Sequence, residues 1–135
     1  MRDKSMDLNK KPQSYNDLEI YTLGKELAVS LHKLTINNMP AFEIYKEGSQ
    51  IRRSSKSIVS NIVKVFGQRK CTNDFIKFLT YAIGSCDGTK THLELLKETE
   101  SITSSSFEKL FTSYEKLGTK LYNFRKAVQN SHHGS

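Results

Sequence analysis

Four histidines and two cysteines are the residues of this 135-residue chain best suited to metal or nucleophilic chemistry. Their spacing speaks against both uses. A carboxylate-bridged two-metal site in a helical protein needs inward glutamates and Glu-x-x-His pairs, which set a carboxylate and an imidazole one helical turn apart. His92 has Thr89 three residues before it and His32 has Val29, so both read as ordinary surface or partly buried histidines. His132 and His133 would make at most a weak, adventitious metal contact. Cys71 and Cys86 fit no metal or redox spacing. Cys86 falls on an apolar stripe as a small core residue, and both thiols read as reduced cysteines, a somewhat lowered pKa at Cys71 beside Arg69 and Lys70 being the minor alternative. No serine sits in a strand-to-helix elbow, and Gly84 and Gly88 lie inside a helical pattern, not in a phosphate-binding loop. No enzyme, metal or other cofactor is expected.

The cations carry more information. From Gly48 to Gln68 there is no acidic residue. At about 100° per residue, Ile51, Ser55, Ile58, Val59, Ile62, Val65 and Phe66 share an arc of roughly 120°, with Arg52, Arg53, Lys56, Ser60 and Lys64 on the opposite arc. Arg69 and Lys70 carry this charge into a connector and Lys77 carries it onto the next helix. These cations repel one another, so RNA phosphates are a fitting counterpart; a protein's acidic face or plain solvent are the alternatives. No aromatic platform is expected beside the lysines, so RNA contact would depend on charge and shape, with weak sequence preference.

Helices must position these residues, because period-2 alternation is absent and glycine and proline punctuate long 3.6-period stripes. The first helix is expected from a capping box at Asn16 and Glu19 through Leu18, Tyr21, Leu27, Leu31 and Leu34, ending near Asn38 before Pro40. A second runs from Gly48 to Phe66, with Gly67 placed to close it in a left-handed turn. A third follows a Thr72 cap and carries Phe75, Phe78, Leu79, Ala82, Cys86, Leu93 and Leu96. The fourth starts at a capping box of Ser105 and Glu108 and repeats Phe107, Leu110, Phe111, Tyr114, Leu117, Leu121, Phe124 and Val128. Short connectors make neighbours antiparallel, which gives an all-α, up-down four-helix bundle over residues 14–129, with a disordered arm at 1–13 and a flexible tail at 130–135.

The composition, 36% apolar and 26% charged with a net charge of +7, fits one soluble basic domain. No apolar run approaches the roughly 18–20 residues of a membrane span, so a cytoplasmic protein is expected. Ile20, Leu23, Val63, Tyr81 and Ile83 lie off or at the border of the main stripes, which points to a homo-oligomer interface.

Ser49-Gln50-Ile51-Arg52-Arg53, Ser57-Ile58-Val59-Ser60-Asn61-Ile62, Phe66-Gly67-Gln68-Arg69 and Asp74 to Ser85 resemble the bacterial four-helix-bundle proteins encoded in 23S rRNA intervening sequences. Tyr15 to Tyr21 is similar to that family's first helix, so the likeness spans about residues 15–128. The resemblance implies a four-helix protomer in a ring-like homopentamer, a suspected RNA-associated role and no known catalytic activity. Where the family has Ala-Glu-Gly this chain has Val63-Lys64-Val65, and where it has Glu-Leu-Glu this chain has Gly88-Thr89-Lys90. Three family carboxylates are thus absent, two of them replaced by lysine.

Overall fold

The computed structural model describes residues 18–67 and 72–133. Four long helices, α1 (Glu19–Asn37), α3 (Glu47–Gly67), α4 (Thr72–Glu98) and α5 (Ser104–His133), are joined by one short helix, α2 (Ala41–Ile44). Each long helix packs against its two neighbours in the cyclic order α1, α3, α4, α5. Matched contacts along each pair fix the directions. Ser54 meets Thr89 and Ser57 meets Ser85, so α3 and α4 run in opposite senses. Phe75 against Phe124 and Lys97 over Phe107 do the same for α4 and α5. The Cβ position of Gly24 lies 3.7 Å from Ile62 and 3.8 Å from Leu117, while Thr35 meets Arg52 and Glu19 meets Lys120. The bundle is therefore up-down around its whole circumference.

The stripes read from the sequence supply the core. Leu31, Ile51, Ile58, Ile62, Val65, Leu79, Cys86, Leu93, Leu96, Leu117 and Leu121 are fully buried, and each large aliphatic side chain among them contributes about 1.5–3 kcal/mol by leaving water. Phe66, Phe75, Phe78, Phe111, Phe124 and Val128 close the edges of this core and stay partly exposed. Thr35, Ser55 and Thr89 are buried polar residues, and their hydroxyls bond to carbonyls one helical turn back.

The helix ends differ from the expected ones. Asn16 lies outside the described residues, and α1 follows Leu18 without a side-chain cap. Gly67 ends α3 without a positive φ. Thr103, not Ser105, caps α5: its Oγ1 accepts the Ser106 N–H at 3.1 Å. The α5 helix continues to His133, past the Gln129 boundary read from the sequence. Pro40 starts the unforeseen α2, because its fixed φ of −55° suits the residue before a helix.

The turn from α4 into α5 is a Schellman motif. Glu100 N–H bonds the Lys97 carbonyl at 3.0 Å and Ser101 N–H bonds the Leu96 carbonyl at 2.8 Å. Glu100 therefore occupies the left-handed position, with φ 59°, and is the described residue that does so without being glycine.

Candidate nucleic-acid interface

Arg53, Lys56 and Lys64 project from the outer face of α3, where all three are exposed. None has an ion-pair partner among the described residues, which follows from the absence of acidic residues along this stretch. Arg69 and Lys70 lie outside the described residues.

Arg52 does not belong with them. Its guanidinium turns inward, Nη1 donating to Thr35 Oγ1 at 3.0 Å and Nη2 to the Ile44 carbonyl at 2.8 Å. One side chain thereby ties α1, the end of α2 and α3 together. The approach is close enough that a Cβ on Gly48 would meet Arg52 Nη1 and the Glu43 carbonyl at 3.0 Å each, which explains a glycine one turn before the arginine. The helical wheel puts Arg52 on the polar arc with the other cations, but the neutral acceptors that turn it inward come from other elements.

At the far end of α3 the structure overturns the expectation of lysines without aromatics. Lys64 Nζ stands 5.8 Å and Lys77 Nζ 4.9 Å from the ring centre of Phe78. Phe78 in turn meets Tyr81 edge to face, with centroids 6.0 Å apart and planes at 76°. Lys77 also lies 3.6 Å from Asp74 Oδ1 on the same helix, a solvent-facing pair of small energetic weight.

Between α1 and α3 runs a groove of about 460 Å³, floored by Ala28, Val29 and Val59 and edged by Lys25, Lys33 and Lys56, with His32 and Ser60 beside them. The α1 lysines were missed in the sequence, where they are spread among polar positions of a mixed-charge helix. Only packing sets them beside Lys56.

The expected interface residues divide. Ile20 is 4% exposed and joins the core, because it stands on the same face of α1 as Gly24, Leu27 and Leu31, four, seven and eleven residues on; it has almost no surface left to offer. Leu23 and Ile83 are half-buried against the same core, and Val63 is half-buried on α3. Tyr81 alone remains broadly exposed, at 52%.

The other chemistry-bearing groups are engaged internally. Cys86 is buried, its thiol donates to the Tyr114 carbonyl at 3.3 Å, and burial pushes its pKa up to about 11, which suppresses thiolate. Cys71 lies outside the described residues. His92 Nδ1 meets Glu47 Oε1 across α3 and α4. No three His, Cys, Asp or Glu side chains among the described residues are grouped to hold a metal ion, and no described helix is long and apolar enough to cross a membrane.

Residues 16–123 match the family of the 23S rRNA-intervening sequence protein. The chain belongs to this family. A crystal structure of a protein of unknown function from the S23 ribosomal protein family of Bacteroides thetaiotaomicron VPI-5482 is similar, with a TM-score of 0.71 and 28% identity over 79% of this chain and 95% of that one. No curated protein matches the sequence. The resemblance implies carboxylates at three positions that are lysine or glycine here. Lys64 is exposed, Gly88 is half-buried with open space around its Cβ position, and Lys90 is 3.7 Å from Asp87. Arg52 is held here by a threonine and a backbone carbonyl, so the absent acids leave it satisfied.

Proposed function

We propose that this intervening-sequence protein is a non-enzymatic, cytoplasmic RNA-binding protein that contacts phosphates through the outer face of α3 and works as a homo-oligomer, a pentamer by the family resemblance. The observation that carries the reading is the run of exposed, unpaired Arg53, Lys56 and Lys64, continued by Lys77 on α4. Unpaired surface cations on a rigid helix can exchange their counterions for phosphates at little ordering cost. Titrating a labelled structured ribosomal RNA fragment at several salt concentrations tests it. Replacing Arg53, Lys56 and Lys64 together by Ser should weaken binding and flatten the salt slope by roughly 0.7–0.9 for each phosphate no longer neutralised. A flat isotherm at about 0.15 M salt, where surface charge is screened beyond roughly 8 Å, would remove the reading.

Assembly is supported by exposed apolar surface on α1 and α2. Phe42 and Tyr45 on and after α2 are 71% and 84% exposed, and Val29 and Ile36 of α1 are exposed as well. Such a set favours burial against another copy. Replacing Phe42 and Tyr45 by Ser should lower the mass seen by light scattering, and a wild-type protein that scatters as a monomer at micromolar concentration contradicts assembly.

A scaffold function has one observation in its favour, the apolar floor of the α1–α3 groove between lysine edges. That shape suits the apolar face of an acidic amphipathic helix. Folded protein that binds no RNA would promote it.

A further inference from the structure

We propose that Tyr81 is a stacking platform for an unpaired base, so that the end of the bundle where α3 meets α4 receives single-stranded RNA. The inference rests on the RNA reading above and gives it a ligand class. Tyr81 is 52% exposed, yet its ring is not loose: Phe78 holds it edge to face at 6.0 Å. Phe78 is itself packed on the core and flanked by the ammonium groups of Lys64 and Lys77, which come from two different helices. A solvent-facing aromatic ring with two cations one ring away, over Phe78, is a combination suited to single strands, the Tyr81 ring taking the base and the lysines the adjoining phosphates. The Lys77–Asp74 pair, with side chains 48% and 39% exposed, is too weakly held to keep Lys77 from a phosphate. A tyrosine at this position adds little to the protein's own core, since its neighbours Leu79 and Ala82 face inward and it faces out. The site is also separate from the exposed apolar surface of α2. Along α4, Tyr81 lies about 25 Å from Glu98 at 1.5 Å per residue, and Phe42 and Tyr45 belong to the Glu98 end, where Arg52 holds the Ile44 carbonyl.

Three fluorescent probes of equal length test this with the full chain: a single-stranded RNA, an RNA duplex, and a strand of abasic units that keeps the phosphates but has no bases. Wild type should bind the single strand best. Tyr81→Leu should weaken that binding about tenfold, within the range for one stacked base, and leave the other two probes unchanged. Tyr81→Phe should bind as wild type. The double variant Lys64→Ser, Lys77→Ser should weaken all three. Equal affinity for all probes, or a Tyr81→Leu variant that binds as wild type, overturns the platform while leaving phosphate binding standing. Binding of none of the probes overturns both. Circular dichroism and light scattering on Tyr81→Leu complete the test, because a loss of helix or of assembled mass would assign the ring to the protein's own packing and also overturn the proposal.

Discussion

Replacing Glu100 by glycine should stabilise the protein. Glu100 stands at φ 59° in the Schellman turn after α4, with no hydrogen-bond or ion-pair partner for its exposed side chain among the described residues. The left-handed conformation costs an L-residue about 1–2 kcal/mol through the approach of Cβ to the following carbonyl. Glycine avoids that cost but loses about 0.5–1 kcal/mol of extra chain entropy on folding. The difference favours Glu100→Gly by about 0.5–1 kcal/mol, which for a chain of this size raises the melting temperature by about 2–4 °C. Glu100→Ala separates backbone from side chain, since it keeps the Cβ and should stay within about 0.5 kcal/mol of wild type. Urea denaturation followed at 222 nm, at fixed protein concentration because assembly would add to stability, measures both variants. If glycine lowers stability, or if alanine raises it as much as glycine does, the turn is not strained by its Cβ and the reasoning fails.

The Tyr114 hydroxyl is buried without a hydrogen bond of normal geometry among the described residues, although the facing Ser55 oxygen, whose own proton goes to the Arg52 carbonyl at 2.9 Å, keeps lone pairs on that side. Tyr114→Phe should therefore gain about 1 kcal/mol in chemical denaturation, whereas a decrease of that size would reveal a bond through Ser55 or a water. Gly84 and Gly88 have open space at their Cβ positions inside α4, so each should gain about 1 kcal/mol of stability on replacement by Ala. A higher melting temperature accompanied by a drop in assembled mass would show that another copy packs on those glycines. Since burial raises the Cys86 pKa from 9.0 to about 11, the unfolded chain loses the thiol proton first as pH climbs. Stability should decline between pH 9 and 11, by an amount on the order of 2 kcal/mol, and Cys86→Ala should flatten that decline in melts run across this range.

The helices and their buried stripes were legible from residue order alone, because both follow from a 3.6-residue period that each segment carries without help from its neighbours. Ile51, Ile58 and Ile62 had to share a face whatever they packed against, and so did Leu110, Tyr114, Leu117 and Leu121. The outward course of Arg53, Lys56 and Lys64 follows from the same wheel. Whatever depends on a neighbouring element had to wait for the packed bundle. Arg52 lies one residue from Arg53, yet it is bound by Thr35 and the Ile44 carbonyl, partners that helix packing alone brings within reach. Ile20 belongs to the buried α1 face with Gly24, Leu27 and Leu31, a period the sequence does carry, whereas α2, too short for a period, left no stripe to read. Packing sets Lys25 and Lys33 of another helix beside Lys56, and it sets Phe78 of α4 beside Lys64 of α3. A helical wheel gives the direction in which a side chain leaves its own helix, but what it meets there depends on the angle and offset between helices, which only the packed core fixes.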